Sequence, residues 1–322
     1  MNKGLFLLSA FSFENGVFVG HRFDIGVSGD YLIKRSIFSD IDTTYRGGCL
    51  FLDVSNSNIK FYDTVFLRCS SSYSGNSAGA ISIFKTNSVE FVHLCFNRCS
   101  NINDVTNFQI CAYAYSVKRS SYNSSAEVDS NKGKYVSTYA SHIGGTDSVI
   151  VNGVNNTRNV LTGKHEFGIV FAASINTFVR YCLFESGQAS YVIRTFNTIY
   201  YNQVHNCIFR NNTASCLHIF AQVSGQTIRY HQCIFTENSI SNLATGTGSI
   251  TISNCIFDND FSGQSFVSES NNLFLTTTNT ILGLPNDLCF ESVSSNIAIC
   301  NTIPKIHFVR ISALILTMLM LQ

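Results

Sequence analysis

The feature that most constrains this chain is a short phrase that recurs and, within each copy, changes the phase of its hydrophobic alternation. The phrase is an apolar pair at alternate positions, a polar residue, then Cys-x-Phe or a variant. It occurs at Ile59–Phe66, Val89–Phe96, Val179–Phe184, Val204–Phe209, Ile228–Phe235 and Ile250–Phe257. In the last copy Ile250 and Ile252 share one strand face, Cys255 and Phe257 share a face of opposite parity, and Asn254 stands between. A straight strand would leave one pair in water, because side chains alternate with a period of two. A bend at Asn254 turns both pairs inward. The copies around Asn206 and Gln232 show the same break. A chain that bends at one fixed place per repeat, always with its apolar side inward, is a coil of a solenoid.

The anchoring phenylalanines are 38, 66, 96, 184, 209, 235 and 257, at separations of 28, 30, 88, 25, 26 and 22 residues. The long gap equals about three further turns of similar length. Between copies lies a second short strand with a small-residue lead, as in Gly47-Gly48-Cys49-Leu50, Ala78-Gly79-Ala80-Ile81 and Ser215-Cys216-Leu217. Turn residues such as Asn56-Ser57-Asn58 follow. The spacing predicts an all-β fold: a single-stranded right-handed parallel β-helix with about three short strands per coil. Nine to eleven coils would make a rod roughly 50 Å long at ~4.8 Å per coil. Like residues should stack, so the structural repeat is carried by Phe66, Phe96, Cys182, Phe184, Cys207, Phe209, Cys233, Phe235, Cys255 and Phe257, with Asn-type residues lining the bend. The last repeat, from Gly246 to Phe257, is short enough to merge two strands into one. The stretch 112–164 matches the phrase poorly, and within it His142-Ile143-Gly144-Gly145 is expected on a protruding loop.

Composition agrees with such a core. Hydrophobic residues make up 45% and charged residues 13%, with two prolines, so disorder is excluded and sheet donors stay available for pairing. A net charge of +1 with scattered Lys and Arg gives no field that would steer nucleic acid.

The paired motifs Gly47-Gly48-Cys49-Leu50 and Ala78-Gly79-Ala80-Ile81, with Phe209-Arg210-Asn211-Asn212 and Phe235-Thr236-Glu237-Asn238, resemble the GGA[ILV] and FxxN repeats of chlamydial polymorphic outer-membrane proteins. More broadly they resemble the pectin-lyase-like β-helix superfamily. Phe66-Leu67-Arg68-Cys69 and Phe96-Asn97-Arg98-Cys99 depart, with Cys in place of Asn. The resemblance covers Tyr31–Ser100 and Ile175–Ser262. It implies surface-exposed adhesin or passenger domains. No membrane-barrel region follows in this sequence, so that part of the family's architecture does not carry over.

Twelve cysteines invite a disulfide framework. Stacking argues against it for Cys182, Cys207, Cys233 and Cys255, whose parallel Cβ vectors would stand ~4.8 Å apart, whereas a disulfide needs Cβ atoms at ~3.8 Å that face each other. Cys69 and Cys99 are expected to be buried thiols too, and Cys289 and Cys300 are the best candidates for a bond. No C-x-x-C pair or finger-like His spacing suggests a metal, and no cofactor motif occurs. Enzymes of this fold need clustered carboxylates. Glu185, Glu237, Asp258 and Asp260, with Arg210, could gather along one edge, but solvated turns with ordinary ion pairs are the favoured reading of them. Leu183, Ile208, Ile234 and Ile256 lie between Cys and Phe and should form an exposed apolar stripe, marking a partner, an intramolecular cover or mere strand preference. Asn123, Asn155 and Asn211 begin glycosylation sequons.

Both ends stand apart. Residues 1–12 fit a short signal peptide with Ala10-Phe11-Ser12 as its cleavage site, or the first strand of an array whose start is missing. The core array would span 13–303. The tail 304–322 holds an eleven-residue uncharged run, too short for a spanning helix of about 20 residues. It fits an anchor signal, a truncated membrane segment or a capping strand. The expectation is a non-catalytic surface or secreted protein that binds a protein or glycan ligand, with membrane association through the tail. The competing expectation is a carbohydrate-active enzyme, a polysaccharide lyase or glycoside hydrolase.

Overall fold

A computed structural model of the chain describes residues 10–73, 77–101, 108–109, 112–115, 117–123, 125–128, 139–160, 167–172, 176–188, 190–196, 201–221, 227–246, 248–258, 267–270 and 272–274. Every strand pairing in it is parallel, and the described residues contain strands and no helix. The strands build three sheets, taken up in rotation as the chain advances. Sheet A runs from Ala10–Glu14 to Val267–Ser270, and sheet B from Val17–Val19 to Leu273–Phe274, each through eleven successive strands. Sheet C runs from Phe23–Ile25 to Ser239–Thr245, with the short strands Ser77–Ala78 and Phe108–Gln109 beside it. Each strand therefore lies over its counterpart one level away, and the molecule is a parallel β-solenoid with three strands per coil. At ~4.8 Å per level the eleven levels extend about 50 Å.

The bend inferred between sheets A and B is real, and its device is a single left-handed residue. Positive φ occurs at Asn15, Arg35, Asp63, His93, Gly153, Tyr181, Asn206, Gln232 and Asn254, one at each of nine levels. The conformation is constant while the side chain varies, so the expected row of Asn-type residues is only partly present. Hydrogen bonding continues around this corner: Asn206 N donates to His231 O at 3.0 Å and Gln232 N to Ser253 O at 3.1 Å. A second left-handed position closes sheet B at Asp40, Arg68, Arg98, Arg158, Ser186, Asn211 and Glu237.

Between the two corners the phenylalanines stack along the axis. Phe38, Phe66 and Phe96 form one pile, with centroids 5.1 and 5.0 Å apart. Phe184, Phe209, Phe235 and Phe257 form another, at 4.9, 4.9 and 4.6 Å with nearly parallel rings. In-register pairing, not ring preference, fixes this spacing. The 88-residue gap resolves into three level steps, Phe96 to Glu127, to Asn156, to Phe184. Polar residues occupy the phenylalanine position there, which hid the repeat. Accordingly 112–164 is not an irregular insertion in its described parts. Ala112–Tyr115, Arg119–Asn123, Ala126–Val128, Tyr139–Gly144, Ser148–Asn152 and Asn155–Thr157 take regular places in the three sheets. His142 lies in a strand of sheet C, not on a loop.

The FxxN asparagines form a buried ladder. Asn212 Nδ2 donates to Phe184 O and Asn238 Nδ2 to Phe209 O, both at 2.8 Å, while Gly187 N donates to Asn212 Oδ1 at 3.0 Å. Each side chain thereby satisfies backbone groups where the chain leaves sheet B. Cys99 repeats the contact, its thiol donating to Phe66 O at 3.5 Å. The last repeat does not merge its strands: Ser249–Ser253 and Ile256–Phe257 remain separate about Asn254.

Cysteines 99, 182, 207, 216, 233 and 255 are buried thiols that form no disulfide. The four Cys-x-Phe thiols form the expected ladder, and burial pushes the thiols of Cys207 and Cys255 well up. Cys69 departs from expectation: it forms a disulfide with Cys49, their Cα atoms 6.4 Å apart. The stacking argument covers only cysteines within one ladder. Cys49 enters sheet C and Cys69 leaves sheet B, so the two face each other across a corner. Cys95 is disulfide-bonded as well. Cys289, Cys300 and the tail 304–322 lie outside the described residues, as do residues 1–9. Ala10-Phe11-Ser12 begins the first strand of sheet A.

Candidate ligand-binding face

Sheet A presents the longest regular face to solvent. Every second residue of its five-residue strands points away from the interior, and in-register pairing aligns these residues into columns parallel to the axis. The inward set is apolar, as in Ile33, Phe61, Phe91, Tyr122, Val151, Val179, Val204, Tyr230 and Ile252, all buried. The outward set is polar or charged at most levels.

At the N-terminal levels the outward residues surround an open concavity of about 630 Å³ lined by Ser12, Asp30, Leu32, Asn58, Lys60 and Ser88. Its floor is a fixed hydrogen-bond network. Asp30 Oδ1 accepts from Asn58 N at 3.1 Å and Nδ2 at 2.9 Å, and Ser88 Oγ donates to Asn58 Oδ1 at 2.8 Å. Beside it Tyr62 donates to Glu90 Oε2 at 2.7 Å, with Lys60 Nζ 3.9 Å from the same oxygen. Burial and then the Glu90 carboxylate push the Tyr62 phenol up to about 12, so it stays a donor at neutral pH.

At the C-terminal levels the same face turns basic. Arg180, His205, His231 and Ser253 stand in register on successive strands, with Arg229 one column away. The imidazole rings of His205 and His231 lie 5.3 Å apart, and His231 Nδ1 is 2.8 Å from Ser253 Oγ. The Arg180 guanidinium sits 5.0 Å from the Phe178 ring centre. Burial, followed by the charge of His231, holds His205 below the usual histidine range, with Arg180 and Arg229 pushing the same way. His205 is therefore neutral near pH 7, and the two arginines supply the fixed charge. Such a face can offer directional hydrogen bonds at one end and anion-seeking groups at the other.

The carboxylates weighed as a catalytic edge occupy a different place. Glu185 is buried against Arg210 in an ion pair on sheet B. The Asp258 carboxylate accepts from Glu237 N, and the Glu237 side chain is exposed at a corner. Asp260 lies outside the described residues. Among the sequons, Asn211 is exposed, Asn123 is half-buried and Asn155 is buried. Among the described residues no group of three His, Cys, Asp or Glu could hold a metal ion, and no helix is long and apolar enough to cross a membrane.

Sequence reasoning placed the interior residues and missed those of this face. The usable signal was the polar residue between two apolar ones in each phrase, such as Lys60, Glu90 and Arg229, since these must point outward once their neighbours point in. Comparison with family models, with curated proteins and with solved structures finds no match to this chain.

Proposed function

We propose that this chain is a non-catalytic, surface-displayed or secreted right-handed β-helix of the pectin-lyase-like kind, which binds an extended protein or glycan ligand along the outer face of sheet A in an adhesive role. The observation that carries the reading is that face itself: polar columns spaced by the strand repeat, ending in the network around Asp30 and Asn58. An extended glycan advances by about one pyranose per strand spacing of ~4.8 Å, so its hydroxyls meet a repeating set of partners. The Cys49–Cys69 disulfide supports an oxidising compartment, as expected outside the cytoplasm. Engagement of Glu185 by Arg210 makes that carboxylate a structural partner instead of a free acid.

The test has two arms. Externally added protease should degrade the tagged protein on intact cells; full protection would refute surface display. Purified protein should bind intact target cells or arrayed glycans, and the outward variants Lys60→Glu and Arg229→Glu should weaken binding at least tenfold. Turnover of a polysaccharide in the same screen would overturn the non-catalytic reading and favour a carbohydrate-active enzyme.

A further inference from the structure

At its C-terminal levels the outer face of sheet A carries positive charge that the described residues do not balance. Elsewhere along this sheet, cations stand near carboxylates one level away: Arg35 lies 3.6 Å from Glu14, Lys60 3.9 Å from Glu90 and Arg119 3.7 Å from Asp147. By contrast, the strands Ser148–Asn152, Asn176–Arg180, Tyr201–His205, Thr227–His231 and Ser249–Ser253 contain no Asp or Glu, and neither do the corner residues that follow them. Arg180 and Arg229 are exposed, and neither meets a carboxylate among the described residues. Contact with the Phe178 ring occupies the flat face of the Arg180 guanidinium and not its N–H edges. Between the two arginines the buried Nε2 of His205 has no hydrogen-bond partner. An apolar spot adjoins the charge: Ile150 and Phe178 stand in register, Ile150 40% exposed and Phe178 half-buried. Sheet B offers no such spot at these levels. Its outward column of Leu183, Ile208, Ile234 and Ile256 is only 1%, 6%, 3% and 7% exposed, which corrects the expected exposed stripe to a buried one.

We infer that this end of sheet A docks an extended acidic segment of a partner protein, with carboxylates on Arg180 and Arg229 and an apolar side chain on Ile150 and Phe178. The inference rests on the proposed role of sheet A and names the chemistry of the partner. Charge complementarity carries it. Two uncompensated guanidinium groups on a face without carboxylates attract anions, and their forked N–H pairs match a carboxylate. Arg180 and Arg229 are two levels apart, or ~10 Å along the axis, a span that an extended chain covers in about three residues. Acidic side chains about three or four positions apart therefore reach both. An acidic glycan would satisfy the arginines but has no side chain to cover Ile150, and the Arg180 guanidinium already occupies the Phe178 ring face on which a sugar would stack. A nucleic acid needs a longer basic track than these levels offer, and the net charge of +1 supplies none elsewhere.

The experiment uses the full chain and a fluorescent twelve-residue peptide that repeats Asp-Leu-Glu-Glu, with binding read by anisotropy. The peptide should bind, and its isostere with Asn and Gln in place of every carboxylate should bind at least tenfold more weakly. Arg180→Gln/Arg229→Gln should remove that preference. Arg68→Gln, which deletes a cation paired with Asp40 at a corner of sheet B, should leave it intact. Ile150→Ser should weaken the acidic peptide at least threefold. Raised salt should weaken it as well, because the arginines are exposed to screening. Equal binding of the two peptides, no binding of either, or tighter binding of a hyaluronan octasaccharide or a single-stranded oligonucleotide would overturn the assignment. If that happens while Lys60→Glu still weakens attachment to cells, sheet A remains the binding face and only the partner's chemistry is refuted. If Lys60→Glu has no effect either, both readings fall.

Discussion

Single residues at the corners carry the strain of the winding. A left-handed backbone costs a non-glycine residue about 1–2 kcal/mol, and less for Asn or Asp, whose side chains bond locally. Gln232 holds this conformation without the short side chain of Asn or Asp. Gln232→Gly should therefore raise stability by up to about 1 kcal/mol despite the flexibility glycine adds to the unfolded chain, and Gln232→Val should lower it. Urea midpoints of the two variants must move in opposite directions. Phe209 is the reverse case, buried between Phe184 and Phe235. Phe209→Ala should cost about 3–5 kcal/mol, the usual range for a phenylalanine lost from a packed core. His205 gives a pH prediction with a definite sign. Its folded pKa lies below the ordinary 6.5, so the unfolded chain binds the proton more tightly. The stability this provides is present above about pH 6.5 and is lost as pH falls through and below that value. His205→Gln should flatten that part of the stability profile between pH 7 and 5, and an unchanged slope would exclude His205 as its source.

At the scale of strands and ladders, register decides which chemistry is available. The Cys182, Cys207, Cys233 and Cys255 thiols sit in one column, each at the corner just before a strand of sheet B, and remain free. Cys49 and Cys69 come from different sheets and meet across a corner. Under non-reducing conditions a thiol reagent should label none of the six buried cysteines that form no disulfide in the native protein, and all six once it is unfolded. Reaction of the ladder in the native state would mean that its strands separate readily. The same distinction explains what could be foreseen from the amino acids. The phase break at Asn254 and the spacing of the phenylalanines sufficed to deduce parallel coils with the right stacking partners. The levels at Glu127 and Asn156 escaped because a polar residue fills the diagnostic position there, although backbone pairing continues unchanged. The Leu183 column was assigned correctly to the outside and wrongly to solvent, since alternation reports direction and is silent about what lies over a face. The candidate binding face escaped for a related reason: its columns assemble from residues about 25–30 positions apart, and no local motif records their meeting.

For the whole molecule, contacts join a strand chiefly to its neighbours one level away, so stability should behave as a sum of level and interface terms. The two ends differ in how they are secured. The Cys49–Cys69 bond closes a loop of 20 residues near the N-terminal end, worth about 3 kcal/mol in the chain-entropy account, whereas the levels from Cys182 to Cys255 rely on packing and the asparagine ladder. Reduction should then act locally. Hydrogen exchange with and without reductant should show faster opening of Ile37–Thr43, Leu50–Asp53 and Val65–Ser71, with Ile208–Arg210 and Thr227–His231 unchanged. Equal acceleration along the entire rod would mean that the eleven levels unfold as one cooperative unit.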